Sequence, residues 1–327
     1  MQKKVLITGA SGFVGYHLIE QALACGYDVY AAIRRSSAVD HLKEFKVSYT
    51  QLNYADVDAL RQNIMEHGYE YIIHASGTTK AKSLNHYNLI NAEYTRNLAL
   101  ASVGTQVKKF VFVSSLAAIG PIDDVNGRIA ANQKPNPVTS YGVSKLQAET
   151  YLRAIEGLPL LTIRPTAVYG PREKDIFILF NSINKGLEPY IGSFEQRLSF
   201  VYVKDLAAVI VKALESTLTH QSYNISDGQG YDRFALAKYT KVFLSKKTFK
   251  FHIPLVIVRF LASLLDALYA RSTATPALNK EKLAELTAVN WICDIEKARM
   301  ELGYTPEYNL EQGLAQTMKW YKDNKWL

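Results

Sequence analysis

Apolar residues fall along this chain in short runs, separated by stretches of helical periodicity. Residues 3–8 are largely apolar and β-branched, and glycines at 9, 12 and 15 then turn the chain. Residues 14–25 carry apolar positions at helical spacing until Gly26 stops them. Asp28 to Ile33 and Val47 to Leu52 read as the second and third strands. A helix is expected over 56–66 and a strong strand at Tyr71–Ala75, then a long helix over 86–103 and a strand at Phe110–Val113. After a loop with Pro135 and Pro137, the pattern predicts a helix over 140–155 and a strand at Leu160–Ile163. Strands alternating with helices imply an α/β fold whose parallel sheet has helices on both faces. Continuously apolar strands suit that burial. Right-handed crossovers make the sheet doubly wound, with its ligand crevice at the carboxyl ends of the strands.

Past Gly170 the rhythm becomes irregular, punctuated by Pro171, Gly186, Pro189, Gly192 and a Gly-rich turn at 228–230. Residues 171–197 and 229–327 are expected to form a smaller, discontinuous C-terminal substrate lobe. Residues 1–170 and 198–228 form the dinucleotide-binding Rossmann domain, to which the helix after Asp205 and the strand at Ser222–Ser226 return. No internal repeat or low-complexity tract is present. Phe251–Pro254 leads into a helix over 254–269. There Ile257, Leu261, Leu264, Leu265 and Leu268 share one face, and Arg259, Ser263 and Asp266 lie on another. That helix falls short of the roughly 20 apolar residues a bilayer span takes. It is left as a packed helix, a lid over an apolar pocket, or an interfacial helix.

Composition narrows the class. The 327 residues are 48% hydrophobic and 21% charged, which excludes a disordered chain or a coiled coil. The formal charge is +8, but Lys and Arg are spread without a block. A plain basic surface, phosphate-bearing ligands and peripheral contact with an anionic membrane all fit that charge. Nucleic acid is not an expected partner, because no basic stripe or nucleic-acid module is present. Cys25 and Cys293 form neither a metal-ligand pattern nor a disulfide framework, so a reducing, cytoplasmic setting is expected and no metal. The apolar run Val5–Ile7 after Lys3 and Lys4 is too short for a signal-peptide core.

Candidate chemistry begins at Thr8-Gly-Ala-Ser-Gly-Phe-Val-Gly15. Glycine at 9, 12 and 15 serves a tight turn, close approach to a pyrophosphate, and helix–strand packing. Ser11, Phe13 and Val14 lie within the turn and the first helical residues, where free N–H groups and the helix dipole favour phosphate. An acidic residue after the second strand would select NAD through its ribose 2′-hydroxyl. This chain has Arg34, Arg35 and Ser36 there, which suit a 2′-phosphate. NADP(H) is therefore the preferred cofactor, with NAD(H) possible.

Tyr141 and Lys145 lie four residues apart, on one face of a helix. A phenol is a poor acid or base near pH 7, and a nearby ammonium is expected to favour its ionised form. Such a tyrosine exchanges a proton with a substrate oxygen while hydride moves to or from nicotinamide. Among 21 tyrosines the spacing alone carries little weight. Its place, one loop after a strand ending in Ser114-Ser115, carries more.

The order of these segments resembles the extended short-chain dehydrogenase/reductases, the NAD-dependent epimerase/dehydratase superfamily. The likeness covers nearly the whole chain. It runs through Thr8–Gly15, Ile73–Gly77, Ser114–Gly120, Tyr141–Lys145, Arg164–Pro171, Phe200–Leu206 and Leu302–Pro306. The resemblance implies an NAD(P)-dependent enzyme and a homodimer. It makes Ser115, Tyr141 and Lys145 catalytic, with Lys145 also bonding the cofactor ribose. It places Asn53 and Tyr54 at the adenine, where the family usually has Asp, and Pro165 and Thr166 beside the nicotinamide. Ala75, Ser76, Gly77 and Ser114 fall along the cofactor, with a structural role preferred for Ser114. Asn91 matches an asparagine that holds active-site backbone, and His74 is read as a satisfied core histidine.

Thr78, Ser115, Tyr141 and Arg197 are the expected substrate contacts. Two substrate classes compete. Nucleotide-sugar epimerases and dehydratases hold a diphosphate where Arg197 stands and usually add a second arginine before an aromatic-x-x-Asp. Trp291 and Asp294 are present, but the preceding stretch, Lys282–Ala288, has no arginine. The other class reduces a ketone on an apolar body, as in the 3β-hydroxysteroid dehydrogenase, dihydroflavonol reductase and bacterial ceramide reductase branches. The missing arginine, Arg34 and the apolar helix favour this second class. A non-catalytic cofactor-binding protein is a third reading, and an intact Ser115, Tyr141 and Lys145 argues against it.

Overall fold

A computed structural model of the chain describes residues 2–269 and 279–327. Residues 270–278 of the expected second lobe lie outside the described residues. Strand and helix alternate as far as Pro165. β1 (Lys4–Thr8) passes through the glycine turn into α1 (Phe13–Ala24), and β2 (Asp28–Ala32), β3 (Ser48–Thr50), α2 (Val57–His67) and β4 (Tyr71–His74) follow. Next come α3 (Leu84–Asn88), a π-helical turn at Leu89–Glu93, α4 (Tyr94–Ser102), β5 (Lys109–Val113), α5 (Ser140–Arg153) and β6 (Leu160–Pro165). The single helix expected over 86–103 is thus interrupted, and the interruption carries Asn91.

The remainder is more regular than its sequence suggests. β7 (Ala167–Tyr169), α6 (Phe177–Asn184), β8 (Leu187–Ile191), β9 (Arg197–Leu198) and β10 (Phe200–Tyr202) lead into α7 (Val203–Lys212) and β11 (Gln221–Ile225). They are followed by β12 (Tyr231–Asp232), α8 (Ala235–Leu244), β13 (Phe249–Ile253), α9 (Leu255–Tyr269), α10 (Lys280–Thr287), α11 (Glu296–Leu302) and α12 (Leu310–Asp323). Several short strands that the sequence reading lacks pair across long separations: β7 with β10, β8 with β13 and β9 with β12. β7, β9, β10 and β12 have only two or three residues each, too few to show an alternation of their own.

The main sheet has the order β11-β6-β5-β4-β1-β2-β3, and every neighbouring pair is parallel. Side chains alternate between its two faces. Val5, Ile7, Val111, Val113, Leu161 and Ile163 pack with Leu18 and Ile19 of α1 and Leu206 and Ile210 of α7. Leu6, Ile72, Phe110, Phe112 and Leu160 pack with Leu60 of α2, Leu98 of α4 and Leu152 of α5 on the other face. The strand order reverses between β1 and β4, which opens the crevice at their carboxyl ends. A separate aromatic core, with Tyr169, Phe180, Tyr202, Tyr231 and Tyr321, gathers α6, α8 and α12.

Capping fixes the helix starts. Asp56 accepts the Ala59 amide ahead of α2, and Gly68 ends that helix in the left-handed region at φ +70°. Thr139 accepts the Gly142 amide at 3.0 Å and so sets the start of α5, the helix that carries Tyr141 and Lys145. The π turn places Asn91 wholly inside, where regular pitch would displace its neighbours by a residue.

Candidate active site

The glycine turn lies at the switch point. Gly9 has φ +69°, and a Cβ there would lie 2.6 Å from the Ala75 carbonyl oxygen. Gly15 has no room for a Cβ either, because the Gly9 carbonyl oxygen occupies that space. Gly12 is the N-cap residue of α1, with no side chain capping the helix and no acidic residue in its first turn. The amides of the first turn, at Phe13, Val14 and Gly15, are therefore available to an anion.

A cavity of about 820 Å³ opens from this turn. Gly9, Ser11 and Gly12 form its floor, and Arg34, Arg35, Asn53 and Tyr54 stand on one side. Ala75, Ser76, Gly77 and Thr78 continue it toward Ile90 and Tyr94. No Asp or Glu is among the lining residues. Arg35 Nε donates to the Gln51 side-chain oxygen at 3.2 Å, whereas the Arg34 guanidinium bonds no described residue. Ser36 does not line the cavity. Ser37 does, and its hydroxyl accepts the Arg34 amide at 3.1 Å. Of the adjacent serines it is thus Ser37, not the expected Ser36, that faces the cavity, and Gln51, not singled out from the sequence, lines it too. Tyr54 stacks on Tyr94 with ring centroids 6.0 Å apart, and its hydroxyl lies 3.3 Å from the Ser76 hydroxyl.

Behind the cavity a directed chain of hydrogen bonds ties β1, β4 and the π turn together. The Ser76 amide donates to Thr8 Oγ1, which lies 2.8 Å from His74 Nδ1. His74 Nε2 lies 2.8 Å from Thr95 Oγ1, and that hydroxyl donates to the Asn91 carbonyl. Because Thr95 spends its proton on Asn91, His74 must donate from Nε2 and accept at Nδ1. Burial, and secondarily the Lys145 charge, push the imidazole down to about 3, so it is neutral. His74 is the satisfied core histidine expected. Asn91 holds Thr78 at both ends, accepting its amide at 2.7 Å and donating to its carbonyl at 3.0 Å, and it also donates to Ser144 Oγ.

Tyr141 and Lys145 project from α5 toward the end of β5. Lys145 Nζ donates to the Val113 carbonyl at 2.8 Å and stands 4.5 Å from the centre of the Phe112 ring. Burial lowers its ammonium to about 8, against an opposing pull from Glu149. The Tyr141 phenol differs from expectation. Burial raises it to about 12, with the Ser115 hydroxyl working in the other direction. Desolvation outweighs any help from Lys145, and Tyr141 is fully protonated near pH 7. The Ser115 hydroxyl also accepts the Ala117 amide at 3.2 Å.

Ser114 turns the other way. Its hydroxyl donates to Glu149 at 2.6 Å within a buried network in which Glu149 also takes Nε of Arg164 at 2.9 Å. Its side chain is structural. Pro165 and Thr166 are buried and outside the cavity lining, and the Thr166 hydroxyl is engaged by Ser199 at 2.9 Å. Arg197, on β9, forms an ion pair with Glu195 at 3.3 Å and is likewise outside the lining.

Sequence reasoning missed α10. Glu281 accepts the Ser140 amide at 3.0 Å and also the Ser140 hydroxyl, so a carboxylate caps the helix one residue before Tyr141. Glu285 lies near enough to add to the rise of the Tyr141 phenol. The Tyr87 ring meets Tyr141 edge-on at 6.4 Å. Only the fold brings together residues separated by 141 positions, and no local signal marks Glu281.

Comparison with known proteins agrees with this geometry. A sequence model described as the NAD dependent epimerase/dehydratase family matches residues 5–226. The chain is 26% identical over 324 residues to a UDP-glucose 4-epimerase of Vibrio cholerae, covering 97% of this chain and 95% of that one. It is 27% identical over 326 residues to a ceramide reductase of Caulobacter vibrioides, covering 99% and 96%. A crystal structure of UDP-glucose 4-epimerase from Thermotoga maritima superposes with TM-score 0.80 at 22% identity, over 98% of this chain and 99% of that one.

Proposed function

Because the chain belongs to the NAD dependent epimerase/dehydratase family, we propose that it reduces a ketone on an apolar, lipid-like molecule with NADPH. The observation that carries the substrate class is the charge around Tyr141. α10 brings Glu281 and Glu285 to that side of the phenol, and Arg197 is ion-paired with Glu195. A nucleotide sugar would need cations for its diphosphate, and Arg197, the one arginine expected there, is already paired with Glu195, while the carboxylates of α10 add no cation beside the phenol. An uncharged substrate has no such conflict.

The residues present fit a dinucleotide. Gly9 and Gly15 leave a cradle that a Cβ would fill, and the uncapped start of α1 offers amides to a pyrophosphate. Gly9, Ser11, Gly12 and the first-turn amides would hold the phosphates, Asn53 and Tyr54 the adenine, and Lys145 the ribose. Bound there, the nicotinamide supplies or accepts hydride. Tyr141 donates the proton that the reduced carbonyl oxygen takes up, and its protonated state near pH 7 suits that direction. Ser115 orients the same oxygen, and Asn91 keeps Thr78 and Ser144 in place around it.

Arg34 and Arg35 favour NADP(H), since no carboxylate lines the cavity to oppose a 2′-phosphate. Arg34→Ala is expected to weaken NADPH by roughly 1–3 kcal/mol, with little change for NADH. Titration of both cofactors against both proteins checks this, and equal weakening of the two would refute the assignment. The substrate class is tested by assaying NADPH oxidation with lipid, steroid and flavonoid ketones, beside a panel of UDP-, GDP- and dTDP-sugars. Epimerisation or dehydration of a nucleotide sugar with the dinucleotide retained through turnover would replace this reading.

A further inference from the structure

α9 is inverted with respect to an ordinary packed helix. Its inward contacts are made by Val258 and Ala262, which meet Leu283 of α10 together with Ile191, Ile253 and Leu255. The outward face carries Val256, Ile257, Phe260, Leu261, Leu264 and Leu268. Val256 is 75% exposed, Phe260 65% and Leu268 66%, and no other described residue covers them. At helical spacing these six share a broad stripe, and Arg259 and Asp266 sit toward its edge. The larger apolar set that the sequence shows on this helix therefore faces solvent, and a smaller one serves the core. A contiguous apolar surface of this kind calls for an occupant.

We propose that α9 lies in the headgroup region of an anionic lipid bilayer and draws the active site to the membrane surface. At 15 residues α9 is about 22 Å long, and no described helix is long and apolar enough to cross a membrane. Its apolar face therefore suits the plane of the interface rather than a span. Charge identifies the partner as anionic. Residues 245–269 hold Lys246, Lys247, Lys250 and Arg259 against the single acid Asp266, and Lys246, Lys247 and Arg259 are exposed. Phe249, beside Lys250, is 71% exposed and extends the apolar surface back along the segment. Basic residues with apolar side chains are the combination that binds acidic headgroups.

The position of α9 connects this surface to the chemistry. α9 packs on α10, and Glu281 of α10 caps the catalytic helix at Ser140. The apolar face is thus one helix removed from Tyr141. Delivery of substrate from the bilayer rests on the reading of an apolar ketone as substrate; binding to the surface does not.

The test is sedimentation of the full chain with vesicles of phosphatidylcholine, with and without phosphatidylglycerol. Wild type is expected to pellet with the anionic vesicles, far less with neutral ones, and less again in high salt. Phe260→Ser with Leu264→Ser should lower vesicle affinity about tenfold or more, with dinucleotide binding unchanged. Lys246→Glu with Lys247→Glu should weaken anionic binding alone, which keeps the test sharp should the first variant misfold. Wild type remaining in the supernatant with both vesicle types would overturn the proposal. So would wild-type affinity in the serine variant. A wild type that self-associates through this face, with the serine variant monomeric and neither bound to vesicles, would assign the face to a second copy of the chain. Vesicle binding by an enzyme that acts only on nucleotide sugars would keep the surface and remove the ketone reading.

Discussion

Tyr141→Phe is expected to reduce kcat by about 10²–10⁴-fold and to leave dinucleotide affinity nearly unchanged. In the proposed reaction the phenol gives a proton to the reacting oxygen, and its ring contact with Tyr87 survives the change. The pH profile gives a second readout. Tyr141, raised to about 12, stays protonated through the neutral range, whereas Lys145, lowered to about 8, loses its charge as pH rises through that value. The charge is present below about 8 and absent above it. The kcat/KM for reduction should therefore be flat toward neutral pH and fall on the alkaline side with an apparent pKa near 8. Steady-state kinetics of wild type and variant across pH, with a separate cofactor titration, measure both effects. Turnover of the variant within about tenfold of wild type would remove Tyr141 from proton transfer.

Glu149→Ala should be among the most damaging substitutions away from the reacting atoms. Glu149 is fully buried and receives Ser114 at 2.6 Å, Arg164 at 2.9 and 2.5 Å, and Arg153 at 2.8 Å. Removing it leaves Arg164, 2% exposed, as a buried cation without its counter-charge. Breaking such a pair from one side costs about 3–5 kcal/mol. The loss should show as a lower melting temperature and a lower denaturant midpoint. Replacing both partners with apolar residues, as in Glu149→Leu with Arg164→Met, should recover much of the stability, since no charge is then stranded. A single variant within about 1 kcal/mol of wild type would show that the pair is energetically idle.

The sheet was legible because its central strands are mostly apolar runs and its helices are punctuated. Lys109 shows where such reading reaches its limit: it lies buried within β5, and its ammonium escapes only by reaching the Leu218 carbonyl at 2.6 Å. The Tyr141–Lys145 pair and the glycine turn were visible because four-residue and three-residue spacings are local. Their environment was not local. The rise of the Tyr141 phenol comes chiefly from burial, and burial depends on residues far along the chain such as Tyr87. Ser36 and Ser37 are alike as residue types, and only the path of the backbone after β2 separates them. The apolar face of α9 was evident from its period, but periodicity says nothing about what will cover a face. Glu281 carries no local signal at all, and its contact with Ser140 exists only because α10 packs there.

The π turn at Leu89–Glu93 gives the stretch from Leu84 to Ser102 two reading frames. One residue more than an α-turn is wound into it, so α3 and α4 are out of phase with each other by about 100°. The first frame presents Tyr87 to Tyr141, and the second presents Thr95 to His74. Asn91 stands at the join and serves both sides of the site. Exchange of one side chain for another leaves both frames standing, whereas loss of a single residue here would fuse them into one continuous helix. That helix would bond more regularly along its own backbone and would aim either Tyr87 or Thr95 wrongly. In this stretch, chain length is therefore more tightly constrained than residue type.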